Sequence, residues 1–271
     1  MRQGMNVTDS DTQEIKTILK YPGAKNRIAD WIVSFIPEHK VYLEPFFGGG
    51  AVFFHKQKSR IETINDLDNN VYTFFKVLRN EPEELVRRLK YTPYGRTEYY
   101  KAFEPTQDEI EVARRFAVRC WQGFGCSNVY KNGFRSSQQG SSPRTTKHWN
   151  ELPDRLEWAA ERLKQAQIEN LPATELLQRY DTEDVFIYLD PPYLHETRKN
   201  YLYRHEMTDT EHIVLLEMAR NHPGKVLISG YENGMYNAVL SGWNKAHKET
   251  QAEFGFKRVE TLWFNYDLTE G

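Results

Sequence analysis

Val185-Phe186-Ile187-Tyr188-Leu189-Asp190-Pro191-Pro192-Tyr193 is the stretch on which the fold turns. Five consecutive apolar residues are too apolar for a sheet edge and predict a strand covered on both faces. An acid and two prolines end it, because proline lacks the N–H that would continue a ladder. Working outward, a short apolar run marks a strand at 41–43, closed by Glu44-Pro45, and further strands are read at 61–64, closed by Asn65-Asp66, and at 168–170 and 226–228. Helical spacing fills the gaps. A helix starts at Ala51, and residues 69–89 space Val71, Phe74, Phe75 and Leu78 along one face, with a break at Glu81-Pro82. Residues 151–167 read as one helical run. Thr208-Asp209-Thr210-Glu211 reads as a capping box opening a helix that Pro223-Gly224 stops. Residues 243–266 read as two strands parted near Gly255, a hairpin.

Strands alternating with helices predict an α/β fold: a Rossmann-like, doubly wound, mostly parallel sheet with a C-terminal antiparallel hairpin. Residues 91–150 are irregular and rich in Gly, Ser, Asn and Pro, which predicts an inserted lobe of helices and loops. The expected division is one domain from 1–85 and 155–271, with 86–154 inserted. A length of 271 residues suits that plan, since domains run to ~100–200 residues.

Composition narrows the class. A mean hydropathy of −0.73 and the lack of a long apolar run argue against a membrane span. The first twenty residues hold no apolar signal-type stretch, and two cysteines, Cys120 and Cys126, build no disulfide framework. A cytoplasmic protein, a monomer or weak dimer, is expected. No cysteine and histidine spacing suits a metal; His205-Glu206 and His212 do not form H-E-x-x-H.

The net charge of −2 conceals an asymmetry. Residues 112–150 contain no Asp or Glu but hold Arg114, Arg115, Arg119, Lys131, Arg135, Arg144 and Lys147, interleaved with Trp121, Phe124, Tyr130, Phe134 and Trp149. Such a mixture suits phosphates and base edges. It equally suits a solvated surface whose charges pair with Asp108, Glu109 and Glu111 just upstream.

Two constellations fall at predicted strand ends, where open α/β sheets bind ligands. Leu43-Glu44-Pro45-Phe46-Phe47-Gly48-Gly49-Gly50 is a glycine-rich turn from strand to helix, and Asp66 closes the next strand, placed to accept from a ribose diol. The turn is neither G-x-G-x-x-G nor a phosphate loop ending in Lys-Ser/Thr. That favours an adenosine ligand without phosphates, such as S-adenosylmethionine, over a nicotinamide dinucleotide. In Asp190-Pro191-Pro192-Tyr193 the prolines remove two N–H donors. The turn therefore presents the Asp190 carboxylate and the Pro191 carbonyl as acceptors, beside a Tyr193 ring that can stack on a planar base. Two acceptors on an exocyclic amine localise its lone pair for attack on a methyl sulfonium. The base first leaves the duplex.

These residues resemble the DNA adenine methylase (Dam-like) family of S-adenosylmethionine-dependent methyltransferases. The resemblance covers Tyr21-Pro22-Gly23-Ala24-Lys25, the glycine turn, Asn65-Asp66 and the Asp190–Tyr193 tetrapeptide, in the family's order. It implies N6-adenine methylation of double-stranded DNA. Asp190, Pro191, Pro192 and Tyr193 would be catalytic, and Tyr21, Lys25, Glu44, Phe46, Gly48, Gly50, Asp66 and Asp190 would hold the cofactor. Lys25 would pair with the cofactor's carboxylate and Glu44 with its amino group, and target recognition would fall in the basic stretch. The chain departs from the family after the third strand, where Asn170-Leu171-Pro172-Ala173 carries no acid for the cofactor's adenine.

On the residues alone, cytosine N4, RNA or a non-catalytic DNA-binding relative remains compatible. A cytosine ring methylase is disfavoured, because Cys120 follows Arg119, Cys126 follows Gly125, and neither has an evident base. Trp243 and Trp263 read as core. Asn265-Tyr266 ends a strand that could approach the site.

Overall fold

The structure, a computed structural model, describes residues 17–125, 131–136, 144–194, 203–251 and 257–268. Cys126 and Tyr130 lie outside the described residues. At the centre is β4 (Val185–Leu189), with all five residues buried. It runs parallel to β1 (Val41–Glu44) on one side and to β5 (Lys225–Tyr231) on the other. β1 pairs in parallel with β2 (Ile61–Asn65), and β2 with β3 (Ala166–Glu169). Antiparallel β7 (Lys257–Phe264) adds to β5, and β6 (Asn244–Gln251) closes that edge, giving the order β3-β2-β1-β4-β5-β7-β6. β6 reads Asn-Lys-Ala-His-Lys-Glu-Thr-Gln, a polar strand suited to a sheet edge. The doubly wound, mostly parallel sheet with its hairpin is the architecture the alternation implied.

The pleat of β4 explains why both faces must be covered. Phe186 and Tyr188 enter one apolar cluster with Phe53, Phe74 and Phe75, while Val185, Ile187 and Leu189 enter a second with Leu215, Leu216 and Trp263. The first cluster is covered by α1 (Ala29–Val33), α2 (Ala51–His55), α3 (Asn69–Asn80), α4 (Pro82–Lys90), α6 (Glu109–Gln122) and α8 (Leu152–Leu163). The second is covered by α9 (Ala173–Arg179), α10 (Asp209–Asn221) and α11 (Gly234–Val239). The short α5 (Arg96–Lys101) and α7 (Arg144–Asn150) flank α6 and α8 in sequence. Among the described residues, no helix is long and apolar enough to cross a membrane.

Local signals are realised where caps and breakers act. Asp68 caps α3 by accepting from Asn70 N, Pro82 opens α4, and Thr208 with Glu211 forms the expected capping box on α10. One reading changes. The helical run expected through residue 167 ends at Leu163, and β3 begins at Ala166, whose buried side chain pairs in register with Glu62. Within the irregular stretch, α6 is a capped helix of 14 residues. Its Ala113, Phe116, Ala117, Cys120 and Trp121 join the same apolar cluster as the sheet. Trp263 is fully buried and Trp243 packs against its cluster. Asn265 and Tyr266 stand at the opposite end of the sheet from the carboxyl ends of the parallel strands. Asn265 accepts from Val226 N and Tyr266 donates to Phe35 O, so neither approaches the site.

Candidate active site

From β1 the sheet continues one way through β2 and the other way through β4, so the crossover connections part beyond their carboxyl ends. There lies a cavity of about 580 Å³, within the range of ligand pockets. Its walls include Tyr21, Lys25, Glu44, Phe46, Gly48 and Asp66, together with Asp190 and Pro192. Six residues read from sequence as cofactor contacts thus meet in one cavity with Asp190.

The glycine turn and Asp66 form one unit. Gly48 N donates to Asp66 Oδ2 at 2.8 Å, and Asp68 N donates to Oδ1 at 2.9 Å. Burial pushes the Asp66 carboxyl up to about 7, against the pull of those two N–H groups. Gly48 has φ +51°, and a Cβ there would meet the Tyr21 ring at 3.0 Å. Gly50 stands apart from the other expected cofactor residues. It is absent from the cavity wall, where Gly49 stands instead. Gly50 caps α2 at φ +70°, and a Cβ would meet Phe47 at 2.6 Å and Phe54 at 2.7 Å. Backbone geometry and close packing therefore account for a glycine at this position.

Asn65 fastens the far wall. Its amide nitrogen donates to Pro45 O and Leu171 O, its oxygen accepts from Leu171 N, and Asn170 donates to Asp66 O. These bonds hold Leu171, Pro172, Ala173 and Thr174 against the cavity, so the acid-free segment supplies a largely apolar wall.

The Asp190 end of the cavity is a charged cluster. Lys25 Nζ lies 2.8 Å from Asp190 Oδ1 and 3.6 Å from Glu260 Oε1, and it donates to Gly23 O at 3.0 Å. Burial disfavours the lysine's charge, but Asp190 and then Glu260 outweigh it and hold its pKa above the ordinary range. The ammonium expected to meet the cofactor's carboxylate is therefore engaged by Asp190. Ser229 Oγ, on β5, donates to the same Asp190 Oδ1 at 2.9 Å. Both donors converge on Oδ1, and Oδ2 lies outside both contacts. Tyr193 places its ring centroid 4.7 Å from Lys25 Nζ and 4.6 Å from the Tyr231 ring, and its hydroxyl donates to Glu260 Oε1. Pro191 and Tyr193 adjoin the cavity without forming its wall.

Glu44 is 2% exposed and accepts from Tyr42 OH at 2.7 Å. Burial, with Asp190 nearby, pushes it up to about 8. Two acids raised in this way within one cavity mark a candidate functional site. Among the described residues no group of three His, Cys, Asp or Glu is placed to hold a metal.

Ser229 and Glu260 were missed in the sequence. Glu260 had a signal: period 2 along β7 puts it on the face of the buried Leu262 and Phe264, while Val259 is exposed. An acid on the apolar face of a strand is a functional candidate. Ser229, inside an apolar strand, had none.

A family model for D12 class N6 adenine-specific DNA methyltransferases matches residues 21–254. The chain belongs to that family. It is 26% identical over 265 residues to the type II methyltransferase M.MjaIII of Methanocaldococcus jannaschii, covering 85% of this chain and 90% of that one. It is 27% identical over 187 residues to a DNA adenine methylase of Vibrio cholerae, covering 66% of this chain and 65% of that one. This methyltransferase acts on adenine in DNA at specific sites, and its mostly parallel sheet is the fold expected from the sequence.

The basic stretch of the methyltransferase divides. Arg114 binds Glu98 and Glu111, Arg115 binds Glu111 and Glu104 O, and Arg119 donates to Ala102 O and Asn70. These three guanidinium groups, expected at phosphates, have partners within the fold. A window opening at residue 112 omits Glu111, which lies one turn back on the same helix. Among the described residues, Lys131 and Arg135 pair with no carboxylate, and Lys131 lies 4.9 Å over the Tyr100 ring. Lys147 is 70% exposed and 3.9 Å from Glu151. The side chain of Arg144 lies outside the described residues.

Proposed function

We propose that this methyltransferase binds S-adenosylmethionine in the cavity between the carboxyl ends of β1 and β4 and methylates the N6 amine of an extrahelical adenine at Asp190. The cofactor supplies an electrophilic methyl group on a sulfonium. Asp66 accepts from the ribose hydroxyls, Glu44 pairs with the methionine ammonium, and Leu171, Pro172 and Phe46 border the adenine. Asp190 Oδ2 and the Pro191 carbonyl accept the two amine hydrogens, which localises the nitrogen lone pair toward the methyl group. Tyr193 stacks on the base and offsets the unstacking cost, about a few kcal/mol. As the N–CH₃ bond forms, the S–CH₃ bond breaks with its electron pair staying on sulfur as the neutral thioether of S-adenosylhomocysteine, and the amine nitrogen gives up one proton to solvent.

The single observation that carries this reading is the division of labour at Asp190, where Lys25 and Ser229 both hold Oδ1 and Oδ2 lies outside both contacts, at the wall of a ligand-sized cavity. Within residues 86–154, we assign phosphate contacts to Lys131, Arg135, Arg144 and Lys147.

Calorimetric titration with sinefungin, an unreactive analogue carrying an amine in place of the sulfonium, tests the pocket. The wild type binds, and Asp66→Ala weakens binding by about 10- to 100-fold through the lost diol contacts. Equal affinity in both proteins would overturn the assignment of the cavity.

A further inference from the structure

Glu260 lies on β7 opposite Tyr231 of β5, is 4% exposed, and is the acid that the reaction scheme above leaves without a task. A buried carboxylate costs several kcal/mol unless partners compensate it, so its surroundings indicate what it is kept for. Two of its partners are Tyr193 OH and, at 3.6 Å, Lys25 Nζ. One is the base-stacking residue and the other is the cation on Asp190. The Lys25 ammonium thus stands between two carboxylates, nearer Asp190 at 2.8 Å. The Tyr193 ring is held at its para position by Glu260, at its face by Lys25, and beside Tyr231 at an interplanar angle of 66°.

We propose that Glu260 is a positioning residue for methyl transfer. Its carboxylate takes the Tyr193 hydroxyl and brackets Lys25 together with Asp190, which sets the plane of the stacking ring and keeps Lys25 on Oδ1. This rests on the reading of Asp190 and Tyr193 as the adenine site. Without the para tether, the Tyr193 ring turns about its Cβ–Cγ axis, and a base stacked on it loses alignment with the methyl donor. Without the second carboxylate, Lys25 follows Asp190 alone and is no longer restrained from drifting toward Oδ2. Both effects act on the aligned complex, so they fall on kcat rather than on cofactor binding.

Steady-state methylation of DNA by Glu260→Ala, Glu260→Gln, Tyr193→Phe and the Tyr193→Phe/Glu260→Ala double variant tests this. Glu260→Ala lowers kcat by about 30-fold, with the cofactor KM changed less than about 3-fold. The near-isosteric Glu260→Gln keeps an oxygen for the tyrosine hydroxyl but loses the charge, and falls by about 5-fold. Tyr193→Phe alone costs about 5-fold, and on that background Glu260→Ala costs less than it does in the wild type, because part of its action passes through the hydroxyl. Glu260→Gln keeps the test open should Glu260→Ala fail to fold. A kcat within twofold of wild type for Glu260→Gln, strict additivity of the pair, or a loss confined to cofactor KM overturns the proposal. Wild-type protein that leaves adenine N6 unmethylated instead overturns the reading of the site itself.

Discussion

The two oxygens of Asp190 have different duties. Oδ1 is spent on Lys25 and Ser229, and Oδ2 is the acceptor assigned to the amine. Asp190→Ala is expected to lower methyl transfer by about 10³-fold while sinefungin still binds, because the charge-placing acceptor goes but the cofactor walls stay. Activity within tenfold of wild type would remove Asp190 from the chemistry. Glu44 makes a second prediction. Its carboxyl is raised from 4.5 to about 8, mainly by burial. Between those values the folded chain holds a proton that the unfolded chain has released, so this group's contribution to stability falls as pH rises through the window. A ligand ammonium beside Glu44 favours the ionised form. Sinefungin binding at pH 7 should therefore release protons, seen as a dependence of the calorimetric heat on buffer ionisation, and Glu44→Gln should reduce that release. Unchanged release in Glu44→Gln would exclude Glu44 from the ammonium site.

At the scale of elements, the turn between β1 and α2 is the part least tolerant of change. Gly50→Ala forces a side chain into a left-handed conformation, a cost of about 1–2 kcal/mol, and into contact with Phe47 and Phe54. We expect a loss of about 2 kcal/mol or more in denaturant unfolding, accompanied by weakened cofactor binding through displaced Gly49 and Gly48. Thr208→Ala removes the cap of α10 and should cost about 1 kcal/mol in denaturant unfolding. The elements that sequence reading found are those announced by local chemistry: the apolar run of β4, the Glu81-Pro82 break, the Thr208–Glu211 box and the prolines after Asp190. What it missed depends on pairings far apart in the chain. Glu260 reaches Tyr193 only because β7 pairs antiparallel with β5, and α6 was obscured because its charged face interrupts an apolar stripe that is clear once Asp108 is seen as its cap.

For the whole molecule, a net charge of −2 says little about DNA, since the basic residues between 112 and 150 are partly neutralised inside the fold. Replacing Lys131, Arg135 or Lys147 by Ala should each reduce the slope of log affinity against log salt by about 0.9, the signature of one lost phosphate contact. Replacing Arg114 or Arg119 should instead lower stability and leave the slope unchanged. A steep fall of the slope in Arg119→Ala would return α6 to the DNA interface. The central claim joins fold, cavity and acceptor site in one reaction. Mass spectrometry of nucleosides from DNA incubated with S-adenosylmethionine and either wild type or Asp190→Ala tests it most directly. The account predicts N6-methyldeoxyadenosine with the wild type and almost none with the variant. N4-methyldeoxycytidine as the product, or N6-methyldeoxyadenosine undiminished in Asp190→Ala, would contradict it.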